Sequence, residues 1–257
     1  RERRGREVYR SVRTGARLMC GIAGIMTADG TAPDAAALDR MKSALAHRGP
    51  DGDAVWISGD TGLVHTRLAI IDLETGDQPL FGPGGAALVA NGEIYNYVEL
   101  RDELMGVEFA TNSDCEPVLH YYRNYGLDFG EWLRGMYALA LYDPQERRLV
   151  LSRDPFGIKP LYYAVSDDGF AFASEPQALL AAGFGARKLR DRPIGEFLQL
   201  QFSTGAHSPF DGIERVLPGE TIVVASGKIV DRRRQTALPS GGPVRASLRP
   251  ALDKLEA

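Results

Sequence analysis

An α+β fold with a large antiparallel component is predicted by three features of the chain. Apolar residues alternate with polar ones over many short runs, as in half-buried strands. Several successive runs are joined by turns such as Asp143-Pro144 and Asp167-Asp168-Gly169, too short for the crossover that a parallel return requires. Between them lie a few segments with helical spacing behind capping side chains.

Taken in order, Gly21 to Met26 reads as the first strand. Asp34 to Leu45 reads as a helix, capped by Asp34, with Leu38, Met41 and Leu45 at i, i+3 and i+7 on one face. Ala54 to Ile57, Leu63 to Ile70 and Ala86 to Ala90 read as strands, and Tyr97 to Leu104 as a helix. Ser113-Asp114-Cys115-Glu116 has the S-x-x-E form of a capping box, predicting a helix through about Tyr122. Met136 to Tyr142, Arg148 to Ser152, Leu161 to Val165 and Phe170 to Ala173 read as strands. The pattern thins after Ala186, leaving a hairpin of Thr221 to Ala225 and Lys228 to Val230 over Ser226-Gly227. Asp231 to Pro243 reads as a linker, and Leu248 to Ala257 begins another helical pattern. There is no internal repeat.

Composition narrows the functional classes. The 257 residues are 25% charged and 44% apolar, a soluble globular profile long enough to bury a substantial core. The longest apolar run, Met136 to Tyr142, is far short of the ~18 residues a membrane helix needs, so no membrane partner is expected. Two cysteines, Cys20 and Cys115, make no disulfide scaffold and fit a reducing cytoplasm. Residues 1–19 hold seven arginines and two glutamates, whereas the remainder has 23 Lys plus Arg against 32 Asp plus Glu, a net of −9. The basic start is short and lacks interleaved aromatics beyond Tyr9, so no nucleic-acid partner is expected.

Met19-Cys20 is the most informative dipeptide. If translation starts at Met19 and the initiator is removed, Cys20 carries both a thiol and a free α-amine. An α-amine with an ordinary pKa of about 7.7 to 8.0 can serve as general base at neutral pH for a thiol near 8.5. His47, His65, His120 and His207 form no Cys/His signature. On local pattern alone Cys20 also reads as a small buried residue, Asn91-Gly92 as a type I′ turn, and Arg67 as a surface ion-pair partner.

Six motifs occur in order: Cys20-Gly21-Ile22-Ala23-Gly24, His47-Arg48-Gly49-Pro50-Asp51, Arg67-Leu68-Ala69-Ile70-Ile71, Asn91-Gly92-Glu93-Ile94-Tyr95-Asn96, Ser113-Asp114-Cys115-Glu116, and Arg153-Asp154-Pro155-Phe156-Gly157-Ile158-Lys159-Pro160-Leu161-Tyr162-Tyr163. Together, over about Cys20 to Pro218, they resemble the glutaminase domain of asparagine-synthetase-type class II glutamine amidotransferases, which are N-terminal-nucleophile hydrolases. The resemblance implies a four-layer αββα sandwich with antiparallel sheets. It implies Cys20 as nucleophile on the side-chain amide of L-glutamine, its α-amine as proton shuttle, and the Asn91 side chain with the Gly92 N–H as oxyanion hole. Gly92 would also let the backbone approach the substrate closely. Arg67 would pair with the substrate carboxylate, Glu93 and Asp114 with its ammonium, and backbone groups of Leu68 and Ile70 would add contacts. His47 to Asp51 and Asp154 to Tyr163 are assigned loop and core shaping, and Cys115 a buried helix position.

The domain reading is a leader over 1–19 absent from the mature enzyme, a glutamine amidotransferase type 2 domain over 20–230, and a linker entering a missing synthetase domain over 231–257. Ser240-Gly241-Gly242 matches the first half of the synthetase pyrophosphate loop, S-G-G-x-D-S, but Pro243-Val244-Arg245 follow in place of the Asp-Ser pair. No cofactor or metal is therefore expected in this chain. The resemblance implies ATP and Mg²⁺ only in the missing synthetase domain, where aspartate or a related carboxylate, including one in a peptide or secondary metabolite, would be amidated. A homodimer is compatible with the family. A non-catalytic binding module is the alternative if Cys20 is never exposed as an N-terminus.

Overall fold

The computed structural model describes residues 19–73 and 75–238. In chain order the elements are β1 (Gly21–Thr27), α1 (Ala35–Leu45), β2 (Gly52–Ser58), β3 (Thr61–Arg67), β4 (Leu80–Phe81), β5 (Ala87–Ile94), α2 (Tyr97–Glu103), α3 (Glu116–Tyr125), β6 (Gly135–Asp143), β7 (Arg148–Arg153), β8 (Tyr162–Ser166), β9 (Gly169–Ala173), α4 (Pro176–Ala182), α5 (Asp191–Leu200), β10 (Glu214–Arg215), β11 (Glu220–Ala225) and β12 (Lys228–Arg234). They form two six-stranded sheets, β10-β8-β9-β1-β3-β2 and β12-β11-β7-β6-β5-β4. The pairings are antiparallel, for example Ile22 opposite His65 and Asn91 opposite Ala138.

Alternation of side chains along each strand divides the apolar residues into three cores. Ile22, Met26, Leu63, Val89, Ala140 and Phe172 pack between the sheets. Their sequence neighbours face outward. Val64 and Ala171 meet Leu38, Met41 and Leu45 of α1 and Leu179 of α4, whereas Leu88 and Leu139 meet Val118, Leu119 and Tyr121 of α3. Helices thus cover both outer faces and the order of layers is αββα. Burial on both faces is why Met136 to Tyr142 is an unbroken apolar run. Among the described residues no helix is long and apolar enough to cross a membrane.

The helix predicted behind Asp34 forms, and the Asp34 carboxylate accepts the Ala36 N–H at 2.9 Å. Other boundaries move, each for a physical reason. β3 stops at Arg67 rather than Ile70, because its partner β2 begins opposite it at Gly52 and the Ala69 N–H turns to the Asp51 carboxylate at 2.9 Å. β5 continues through Asn91-Gly92, which pair with Ala138 and Tyr137 of β6 and make no turn. The capping box does not form: α3 starts at Glu116, and the Glu116 carboxylate accepts the N–H groups of Ala110 and Thr111 instead of reaching back to Ser113. The Ser226-Gly227 turn is as expected, with both residues at positive φ, but β12 continues to Arg234, where Arg232 pairs with Glu220 and Arg233 with Asp128. Helices α4 and α5 were not signalled by the pattern. The first is short, and the second exposes Phe197 and Leu198 instead of burying an apolar stripe. Ser240-Gly241-Gly242 and Leu248 to Ala257 lie outside the described residues.

Candidate active site

The strands build the site by running out of apolar residues at one end. The inter-sheet row of β3 reads Leu63, His65, Arg67, and that of β5 reads Val89, Asn91, Glu93. On β1 the row Met26, Gly24, Ile22 continues the alternation to Cys20, just ahead of the strand. Because β1 and β3 are antiparallel with Gly21 opposite Thr66, Cys20 and Arg67 fall at the same end. There one cavity is lined by every residue singled out from the sequence: Cys20, Arg67, Leu68, Ile70, Asn91, Gly92, Glu93 and Asp114. His65, Gln78, Cys115 and Lys159 line it as well.

Cys20 is held from both sides. Its Sγ accepts the Leu68 N–H at 3.3 Å and lies 3.5 Å from the Leu68 carbonyl oxygen. Its own carbonyl accepts Arg48 Nε at 3.0 Å, and the Arg48 carbonyl accepts the Met19 N–H at 3.0 Å. Arg48 is anchored in turn by Glu175 at 2.6 Å. The His47 to Asp51 motif therefore locates the cysteine. Burial pushes the Cys20 thiol up, while the Leu68 amide and the positive charges of Arg67, Lys159 and Arg48 pull it down.

Arg67 is buried, so a purely surface ion pair is not its setting; it donates to Asp77 at 2.6 Å and to the Asp72 carbonyl. Asn91 is 1% exposed, and its Nδ2 has no hydrogen-bond partner among the described residues. Gly92 admits the close approach of β6, since a Cβ there would sit 2.3 Å from the Met136 carbonyl oxygen and 2.6 Å from the Tyr137 Cα. Glu93 is half-buried, and Asp114 Oδ2 accepts the Ile94 N–H at 2.7 Å. Burial pushes the Asp114 carboxyl up, opposed by that Ile94 bond. Cys115 is buried at the start of α3, its thiol pushed well up by burial.

Two further lining residues, His65 and Lys159, bear titratable groups without a role assigned from the sequence. His65 is 2% exposed with Nε2 unpartnered, and burial, then the Arg67 charge, lowers its pKa to about 4, against a hydrogen bond to the Ala90 backbone that raises it. It lies two residues before Arg67 on an alternating strand, a signal that could have placed it in the same row. Lys159 sits in the last of the six motifs, and no local pattern points from it to Cys20. Among the groups lining the cavity are thus the Cys20 thiol, the Asn91 amide donor, the Arg67 guanidinium and the Glu93 and Asp114 carboxylates, a set able to grip a zwitterionic amino acid and attack its side chain.

Comparison with known proteins shows the family of the chain. The family described as "Glutamine amidotransferase domain" matches residues 19–235. The chain is 35% identical over 212 residues to asparagine synthetase [glutamine-hydrolyzing] 1 of Bacillus subtilis, covering 80% of this chain and 33% of that protein. It is 39% identical over 224 residues to a putative asparagine synthetase [glutamine-hydrolyzing] of Mycobacterium bovis, covering 78% and 34%. The chain therefore spans about a third of the length of the curated relatives it matches. Among solved structures, a glutamine phosphoribosylpyrophosphate amidotransferase from B. subtilis superposes with a TM-score of 0.58 at 21% identity, covering 84% of this chain and 49% of that one.

Proposed function

The chain belongs to the class II glutamine amidotransferases, and from that premise we propose that it hydrolyses the side-chain amide of L-glutamine through a Cys20 thioester. The observation that carries this reading is the pairing, in one cavity, of the Cys20 thiol with the buried, unpartnered Nδ2 of Asn91. A buried donor without a partner costs about 1 to 3 kcal/mol, a cost that a developing oxyanion would offset.

Arg67 takes the substrate α-carboxylate, and Glu93 with Asp114 takes the α-ammonium. Backbone groups of Leu68 and Ile70 flank the bound amino acid. The Cys20 sulfur bonds to the amide carbon while its proton passes to the Cys20 α-amine. The oxyanion is held by Asn91 Nδ2 and the Gly92 N–H. Collapse breaks the C–N bond, the shuttled proton leaves with the nitrogen as ammonia, and the γ-glutamyl thioester remains. Water then adds to the thioester, releasing glutamate and restoring the thiol.

This mechanism needs Cys20 as the first residue, so we place residues 1–19 outside the mature enzyme, the amidotransferase domain at 20–230, and a linker toward a synthetase domain from 231. The relatives' names and threefold length support a synthetase domain that uses the ammonia on aspartate or a related carboxylate, and to that domain we assign the need for ATP and Mg²⁺. No cofactor enters the chemistry assigned to this chain. A cytoplasmic location and a homodimer complete the proposal.

Intact-mass spectrometry and ammonia release from glutamine test it together. Protein beginning at Cys20 is expected to release ammonia, and Cys20→Ala to release none while keeping the wild-type circular dichroism spectrum. A binding module is the better reading if protein that begins at Cys20 leaves glutamine intact.

A further inference from the structure

The motif Arg153 to Tyr163 is built at unusual expense for a loop with no assigned chemistry. Arg153 is buried and donates Nε to the Lys159 carbonyl at 2.7 Å, Nη1 to the Val216 carbonyl at 2.5 Å and Nη2 to the Gly157 carbonyl at 2.6 Å. Asp154, fully buried, accepts the N–H groups of Phe156 at 3.1 Å and Ile158 at 2.9 Å on Oδ1, and of Lys159 at 3.1 Å on Oδ2. Two buried charges are thus spent wrapping one short turn. Burying ions is costly unless their bonds fix something of use.

What the turn presents to the cavity is Lys159. It is 8% exposed, and its Nζ contacts the Met19 sulfur at 3.7 Å, a weak acceptor. Among the described residues no carboxylate lies within ion-pair distance of it, although lysines are almost never buried unpaired. Of the three cations that act on Cys20, the other two are compensated: Arg48 by Glu175 and Arg67 by Asp77. The remaining titratable groups facing the cavity are Glu93, Asp114, Cys115 and His65. Glu93 and Asp114 oppose the lysine, and the proposed substrate ammonium would neutralise part of their charge.

We propose that Lys159 is a positioning residue whose uncompensated ammonium acts through space on Cys20, holding its α-amine free of a proton and favouring the thiolate. This rests on the reading of Cys20 as the N-terminal nucleophile. In the mature chain the α-amine is the former Met19–Cys20 peptide nitrogen, and Lys159 Nζ reaches the side chain of the residue on the other side of that bond. A nearby positive charge disfavours a second ammonium and favours a thiolate, so both effects raise the fraction of nucleophile and base in working form near neutral pH.

The test uses protein beginning at Cys20, with Lys159→Met, Lys159→Gln and Lys159→Arg. Glutaminase kcat/KM is measured from pH 5 to 9, alongside the pH dependence of Cys20 alkylation by iodoacetamide. Removing the charge is expected to move the acid limb and the alkylation midpoint up by about one pH unit, a roughly tenfold loss of kcat/KM below the limb. KM for glutamine above the limb stays at its wild-type value, and Lys159→Arg restores the wild-type profile. Profiles of the Met and Gln variants that superpose on wild type overturn the proposal, as does a raised KM with an unmoved acid limb. If wild-type protein beginning at Cys20 releases no ammonia, the glutaminase reading fails separately, and the alkylation midpoints still decide whether Lys159 acts on the thiol.

Discussion

Replacing Asn91 by Leu should separate catalysis from stability in a direction opposite to most core substitutions. Asn91 is 1% exposed on β5, and its backbone is held in the sheet by pairing with Ala138 of β6, so the ladder survives a change of side chain. Leu keeps the branching of Asn at Cγ, its larger methyl ends have the cavity beside them, and it lacks the Nδ2 donor that has no partner among the described residues. Removing an unsatisfied buried donor recovers up to the about 1 to 3 kcal/mol that such a group costs. In a domain of this size about 1 kcal/mol moves Tm by roughly 2 to 4 °C, so the variant is expected to melt at or above the wild-type temperature. Catalysis moves the other way: loss of one oxyanion donor lowers kcat by about 10²- to 10³-fold, or roughly 2.7 to 4 kcal/mol of transition-state stabilisation. KM for glutamine should stay near wild type, because the donor acts on charge that develops after binding. Steady-state ammonia release and a thermal melt followed by circular dichroism measure both quantities. A kcat within threefold of wild type, or a Tm lowered by more than about 4 °C, refutes the assignment of Nδ2 to the oxyanion.

The other predictions concern binding, loop architecture and pH. Arg67→Lys and Asp114→Asn should each raise KM for glutamine about tenfold or more, since Lys lacks the forked geometry and Asn the charge, and an unchanged KM in steady-state kinetics removes them from substrate recognition. Asp154→Ala leaves the N–H groups of Phe156, Ile158 and Lys159 without their acceptor in a buried turn, so urea unfolding should show a loss of about 3 kcal/mol or more; a loss below about 1 kcal/mol would deny the turn its buried anchor. His65 has its pKa lowered from 6.5 to about 4, so the unfolded chain binds its proton first on acidification. Its contribution is fully present above about pH 6.5 and is lost as pH falls toward 4, on the order of 3 kcal/mol. His65→Gln should flatten the dependence of the urea midpoint on pH between 4 and 6.5, and an unaltered slope in that variant would contradict the buried, neutral ring.

The parts of the fold legible in the sequence were those decided by a few neighbouring residues. Asp34 with Leu38, Met41 and Leu45 specifies both the start of α1 and the face it buries. Strand ends were less legible because a strand stops where its partner stops: nothing within Leu68 to Ile70 says that β2 begins opposite Arg67 and that Asp51 captures the Ala69 N–H. Asn91-Gly92 shows the same limit. The dipeptide has the local chemistry of a turn, and only its registration against Ala138 and Tyr137 makes it a strand. Helix α5 was illegible for another reason, since its large apolar residues face outward and leave no core periodicity to detect.

The site follows the same division. Its residues come from separate elements, and the six motifs pointed to them collectively through family resemblance, because no single segment carries the chemistry. What the fold adds is a reason for their convergence. In each inter-sheet row the apolar side chains that hold the sandwich together give way, toward one end, to polar ones that would be costly any deeper: His65 and Arg67 after Leu63, Asn91 and Glu93 after Val89, Cys20 beyond Ile22. Cys20 is thus placed where the core ends but water is still largely excluded, and burial there raises the thiol above its ordinary value. A cation that needs no carboxylate of its own then becomes useful, and this gives the Arg153–Asp154 scaffold beneath Lys159 a purpose beyond shaping a loop.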